Sequence, residues 1–351
     1  MMKNKFELKF IEDLIYSNYG IKVKAKQVAG ELDDNFRINH NDKSYFFKIY
    51  STNTDLEFVK FQTNILHTLK NLNEVPKNIL TLENKSHSSF TDDRNTIRYF
   101  RMNEWINGRL WSSINPINKR LRERLGFESA TIVKELKKVK SDYFRPDFSW
   151  DLANFLWVED HYDKINLEKE YIQVIENLIE NFKNKRRGIY KKLRKCLIHN
   201  DLNDNNIIVS DCLTAPELIG IIDFGDCVKS QLINELAVTC SYGIINSLNP
   251  LESACDIVRG FNSKIQILED EIDFLYDLIM MRISISIIKS ALNKKINPNN
   301  TYLQVSENDM FILLKKWSVI SRDLATHFFR HACNYIPNQK QKEFQKLIKK
   351  N

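Results

Sequence analysis

Apolar positions along the chain fall into two periods, and these mark out its elements. At 6–18, Phe6, Phe10, Ile11, Leu14 and Ile15 recur at helical spacing and stop at Tyr19 and Gly20, which predicts a short amphipathic helix packed on the first domain. From 21 to 50 the period shortens to two. Val23, Ala25 and Val28, then Phe36 and Ile38, then 45–49 predict hairpin strands, with the turn AGELDDNFRI between the first two. A helix is expected over 55–72, burying Phe58, Phe61, Ile65 and Leu69. After Ile79 and Leu80 come a polar hairpin at 86–95 and a strand at 97–102, before the polar stretch NEWING at 103–108 breaks the pattern.

Beyond that break the chain reads mainly helical. A long amphipathic helix is predicted at 117–140, with Leu121, Leu125, Phe127, Ile132 and Leu136 inward. An aromatic cluster with Asp151 follows at 148–160, then a helix at 167–184. The carboxyl-terminal part predicts helices at 234–247, 252–263, 269–294, 308–328 and 338–350, with a break at 298–300. Between the two helical blocks, 196–226 reads CLIHNDLNDNNIIVSDCLTAPELIGIIDFGD: short apolar runs at 196–198, 207–209 and 218–222 alternate with polar loops.

That stretch carries the chemistry. His199, Asp201 and Asn206 stand in an H-x-D-x-x-x-x-N spacing, and the last apolar run delivers Asp223 into an Asp-Phe-Gly-Asp turn. Phosphoryl transfer from a nucleotide needs a carboxylate to accept the proton of the attacking hydroxyl and two oxygen ligands for Mg²⁺. Asp201 fits the first role, Asn206 and Asp223 the others. A loop rich in Asn and Asp is also what a plain hairpin needs, but that does not explain acid and amide positions placed against apolar strands.

Lys48 lies inside the apolar run FFKI, where a lysine must reach solvent or find an anion. Beside a phosphate site it would serve the phosphates, with the preceding turn, including Gly30 and Asn35, offering backbone N–H groups to them. A carboxylate partner for it is expected from the 55–72 helix, where Glu57 is the only glutamate and Asp55 is close by. A hinge is expected at 104–108, where backbone groups meet the nucleotide base. Within it Trp105, next to Glu104, either stacks on the purine or packs in the core.

Composition narrows the classes. The chain has 351 residues, 43% hydrophobic and 28% charged, enough for two domains of an ordinary globular protein. No apolar run reaches membrane-spanning length, and acidic residues occupy the place of a signal peptide's apolar region, so a cytoplasmic location without membrane contact is expected. The net charge of +7 is spread along the chain, and its densest run, NKRRGIYKKLRK, reads as a solvated helix face, so no nucleic-acid partner is expected. Six cysteines without metal spacing read as reduced structural thiols.

With these residues in view, the chain resembles the aminoglycoside phosphotransferase and choline kinase-like superfamily, and within it most of all the hydroxylysine kinases. The stretches that carry the likeness are GELDDNF at 30–36, similar to that family's G-E-R-D-Q-N-F turn, FSWDLAN at 148–154 and IHNDLNDNNI at 198–207. To them are added IGIIDFGD at 219–226, Glu235-Leu236-Ala237, MRISISI and NPNNTYLQVSE. The resemblance implies an α+β, bilobal, protein-kinase-like fold, with a small antiparallel lobe at 1–103, a hinge at 104–108 and a larger, mostly helical lobe at 109–351. It implies Asp201 as the base, Asn206 and Asp223 as Mg²⁺ ligands, Lys48 as the phosphate-binding lysine, and a structural role for His199.

The expected partners are GTP or ATP as donor and a small amino alcohol, 5-hydroxylysine first, as acceptor. Asp204, Asp226 and Asp151 are the candidates for its ammonium groups and Arg282 for its carboxylate. An aminoglycoside, homoserine, choline or ethanolamine are the alternative acceptors. A catalytically silent binding module would have lost the base, the metal ligands or the lysine, and all are present. A protein kinase fits poorly, because Asn234 comes only eight residues after Asp226.

Overall fold

The computed structural model describes residues 6–30, 32–162, 168–296 and 307–337. Glu31, the expected break at 298–300, the NPNNTYLQVSE stretch up to 306 and the expected helix at 338–350 lie outside them. Two compact units form. One contains Met1–Arg109, Lys138–Tyr143 and Ile208–Gly225, the other Leu110–Lys137, Phe144–Ile207 and Asp226–Asn351.

The first unit is built on an antiparallel sheet. Helix α1 (Leu8–Tyr19) precedes strands β1 (Lys24–Val28), β2 (Asp34–His40) and β3 (Lys43–Ile49), then come α2 (Leu56–Thr68), β4 (Asn78–Ile79), β5 (Ser88–Thr91), β6 (Ile97–Glu104) and β7 (Arg109–Leu110). The sheet runs β1-β2-β3-β6-β4, and β5 pairs with β6 on the edge away from β3. Strand alternation sorts its two faces. Phe36, Ile38, Phe47, Ile49, Phe100 and Met102 point to one side and pack with Ile11, Ile15 and Tyr19 of α1. The register pairs Asn35 with Lys48 and Lys48 with Arg101, which puts these three polar side chains on the opposite side. Helix α2 begins where Asp55 caps it, its Oδ1 accepting from Phe58 N at 2.6 Å.

The second unit is mostly helical, as expected. It holds α3 (Lys119–Leu136), α4 (Lys169–Asn181), a π turn (Phe182–Arg186), α5 (Arg187–Tyr190) and β8 (Lys195–Ile198). Strands β9 (Ile207–Val209) and β10 (Leu218–Ile221), almost wholly part of the first unit, form a three-stranded sheet with β7, while β11 (Val228–Gln231) of the second unit is antiparallel to β8. Helices α6 (Leu232–Gly243), α7 (Pro250–Lys264), α8 (Glu269–Ile296), α9 (Glu307–Ser318) and α10 (Arg322–Ala332) complete it. Every residue of α6 is buried, which makes it the central helix of this unit. The helix expected over 308–328 is two helices, because Ser321 starts a new one: its Oγ accepts from Leu324 N. Among the described residues no helix is long and apolar enough to cross a membrane, and five of the six free cysteines are buried.

Helices α3 and α7 touch through glycines. A Cβ on Gly126 would lie 1.9 Å from Ile257 O, and one on Gly260 equally close to Glu123 O. On helix propensity alone Gly126→Ala would stabilise by about 1 kcal/mol. Here the two backbones must separate, so it should destabilise by about 3 kcal/mol in urea denaturation. A gain in stability would show that this crossing is not close-packed.

Candidate active site

In the first unit the polar face of the sheet is a charge cluster. Lys48 is 6% exposed. Burial disfavours its ammonium, but the Asp223 and Asp33 carboxylates outweigh that and hold its pKa above the ordinary value, against Arg101. Its direct partner is Asp33, Nζ to Oδ2 2.9 Å. The expected partner, Glu57, is instead exposed in the first turn of α2 and paired with Lys60 at 2.8 Å, because the inward face of that helix is taken by Val59, Phe61, Gln62, Ile65 and Leu66. Asp55 is occupied as the cap. Tyr50 ties the cluster to α2: its hydroxyl accepts from Arg101 Nε at 2.7 Å and donates to Gln62 Oε1 at 2.8 Å.

Asp223 follows β10 in a left-handed conformation, φ 59°, which a non-glycine residue adopts at a cost. The turn is thus made at Asp223. Gly225 serves by its missing side chain, since a Cβ there would lie 3.0 Å from Asp223 Oδ1. Gly30 is bare for the same reason: a Cβ would meet Asn35 Nδ2 at 2.5 Å, and that amide donates to Ala29 O. In the expected hinge, Glu104 N and Trp105 N donate to Lys77 O and Ser44 O, and the Glu104 carboxylate accepts from Lys77 N. Trp105 is half-buried, with the Arg37 guanidinium 4.7 Å above its ring and Phe46 beside it.

In the second unit the loop after β8 is held from beneath and from the side. Buried Glu235 of α6 accepts from Asn200 N at 2.9 Å and also from His199 N and Ser129 Oγ. Asn200 takes φ 66°, and Asp201 N donates to His199 Nδ1 at 3.2 Å. His199, fully buried, is thereby a loop-holding side chain. The Asp201 carboxylate is gripped on both oxygens. Arg282 Nη2 donates to Oδ1 at 3.0 Å, while Asn206 Nδ2 at 2.8 Å and Asn203 Nδ2 at 3.0 Å donate to Oδ2.

Asn206 Nδ2 also donates to Asp201 O, so its amide is turned with Oδ1 away from the loop. An amide oxygen so oriented and a carboxylate are hard oxygen donors, and Mg²⁺ commonly takes one or two such protein ligands and completes its shell with phosphates and water. Asn206 and Asp223 each carry a donor of that kind.

Arg282 is not placed to take an acceptor carboxylate. It is fully buried between the rings of Trp150 and Tyr242, 4.6 and 5.3 Å from their centroids, and donates to Trp150 O. Its charge is spent on Asp201. Asp151, expected beside an ammonium, is also buried: it caps the 3₁₀ helix Leu152–Asp160 and accepts from Ser230 Oγ at 2.6 Å. Asp204 is 6% exposed, its Oδ1 has no hydrogen-bond partner among the described residues, and burial pushes its pKa up to about 6. Asp226 remains half-exposed, 3.9 Å from Arg145. Sequence reading missed Asp33, Glu235 and the Arg282 pairing; the only local signals were Asp33 within GELDDNF and Glu235 within the NELA run.

Comparison with known proteins shows the family and the fold. The model of a phosphotransferase enzyme family matches residues 24–256. The hydroxylysine kinase of Mus musculus is 25% identical over 317 residues, and that of Xenopus laevis 28% over 320, each alignment spanning 84% of both chains. Among solved structures, an amicoumacin kinase in complex with AMP-PNP and Ca²⁺ superposes with TM-score 0.66 at 14% identity, covering 89% of this chain and 93% of that one. A spectinomycin phosphotransferase in complex with ADP gives 0.64 at 14% identity, covering 94% and 99%.

The loop anchor gives a pH signature. Burial raises the Glu235 pKa from 4.5 to about 7. Between those values the folded chain keeps a proton that the unfolded chain has lost, so this contribution to stability is full below the unfolded pKa and is lost as pH rises toward 7. Glu235→Gln should remove a slope of roughly 1.4 kcal/mol per pH unit from the unfolding free energy in that window. Parallel wild-type and variant curves from pH 5 to 7 would refute it.

Proposed function

The chain belongs to the phosphotransferase enzyme family, and from that premise we propose that it transfers the γ-phosphoryl group of GTP or ATP to the hydroxyl of a small amino-bearing acceptor, 5-hydroxylysine first. The observation that carries this reading is the grip on Asp201, one oxygen on Arg282 and the other on Asn206 and Asn203. A carboxylate fixed in that way is suited to receive and orient an alcohol proton, and in a loose phosphoryl transfer orientation counts for more than base strength. Likeness to the hydroxylysine kinases over 84% of both chains supports the choice of acceptor.

Lys48 serves the phosphates, its ammonium kept charged by neighbouring carboxylates. Asn206 Oδ1 and Asp223 would hold Mg²⁺, which when bound neutralises charge on the phosphate oxygens. Asp204 favours an amino-bearing acceptor: a buried carboxylate without a cation is costly, and a substrate ammonium would complete it. The half-exposed Asp226 is the second candidate for that role. Trp105 and the 104–108 segment are assigned to the nucleotide base.

Asp201→Asn keeps the shape and removes the base. Turnover with Mg²⁺, GTP or ATP and a panel holding 5-hydroxylysine, an aminoglycoside, homoserine, choline and ethanolamine should fall about 100- to 10,000-fold, while nucleotide binding by calorimetry stays within a few-fold. Undiminished turnover would remove Asp201 from its role. Turnover confined to another acceptor would keep the chemistry and replace the substrate.

A further inference from the structure

The carboxylate that neutralises Lys48 comes from the turn between β1 and β2 and not from a helix. Asp33 uses both oxygens: Oδ2 accepts from Lys48 Nζ at 2.9 Å and Oδ1 from Ser51 N at 2.9 Å. One side chain therefore ties the turn to the end of β3 and to the lysine together. On its other side the turn is folded on itself, where Asn35 Nδ2 reaches Ala29 O across the bare Gly30. Helix α2 offers no substitute. Glu57 faces solvent, and the buried Gln62 is neutral and engaged with Tyr50.

Resting on the phosphate role of Lys48 given above, we infer that Asp33 is a positioning residue: held by Ser51 N, it fixes the direction in which the Lys48 ammonium is presented to the nucleotide phosphates. The electrostatics give this a specific consequence. Lys48 sits in the field of two carboxylates, Asp33 and Asp223. An ammonium has three donors, so one bond to Asp33 leaves two for phosphate oxygens. With Asp33 neutral, the lysine would be drawn toward Asp223, the carboxylate that would also hold a bound Mg²⁺.

Asp33→Asn is nearly isosteric and tests this. The full chain is assayed for nucleoside diphosphate release from Mg²⁺–ATP and Mg²⁺–GTP, with 5-hydroxylysine and, separately, with water as acceptor. Expected are a kcat lower by about ten-fold or more, a nucleotide KM within about three-fold, a higher Mg²⁺ concentration for half-maximal rate, and partial recovery in Asp33→Glu. In a Lys48→Met background, measured in single turnover, Asp33→Asn should add almost nothing, since the two act as one unit.

A loss confined to nucleotide KM, or one fully additive with Lys48→Met, overturns the inference, as does tighter nucleotide binding with undiminished kcat, which would make Asp33 an obstacle. Wild-type turnover by Lys48→Met alone would instead remove the phosphate role of Lys48, and the inference with it. Wild-type-like thermal unfolding of Asp33→Asn separates these outcomes from misfolding.

Discussion

A cation taken out of water must bring an anion with it, and both units of this chain are arranged around that constraint. In the first, Lys48 stands on an internal strand and is balanced by Asp33, with Asp223 in its field. In the second, Arg282 lies fully buried between two aromatic rings and is balanced by Asp201. In each case the carboxylate sits in a loop and the cation on a regular element. The regular element thereby fixes the direction of the loop carboxylate.

The supporting polar groups follow the same logic. The loop bearing Asp201 leans on Glu235 of the fully buried α6 through backbone N–H groups, and the His199 ring holds it from within. In the first unit Tyr50 links Arg101 to Gln62, joining the polar face of the sheet to α2 without adding a charge. The strained φ at Asp223 falls at the residue expected to meet the metal, where backbone strain aims a side chain.

Much of this was legible in the sequence, for identifiable reasons. The strands and α1 declare themselves because period two and period 3.6 differ clearly over Val23 to Ile49 and Phe6 to Ile15. The H-x-D-x-x-x-x-N and Asp-Phe-Gly-Asp stretches are legible because their residues are close in sequence. What failed was long-range pairing. Glu57 was expected to meet Lys48 because it is the only glutamate of its helix, but the facing of α2 is decided by the apolar stripe that includes Phe61 and Ile65, which turns Glu57 outward. Arg282 was expected to greet a substrate carboxylate; a position in MRISISI cannot reveal that Asp201, 81 residues away, lies 3.0 Å from it. Asp151 looked available because its partners, Ser230 and Asn234, are also distant in sequence.

Transfer to an alcohol oxygen is the centre of this reading, and following the phosphoryl group itself tests it most directly. The full chain, Mg²⁺ and γ-labelled GTP or ATP are incubated with 5-hydroxylysine, and the labelled products are separated and identified. Label on the side-chain oxygen of 5-hydroxylysine, lost when Asp201 is replaced by Asn, is the expected result. Label recovered only as inorganic phosphate or on the protein, whatever amino alcohol is offered, would contradict it.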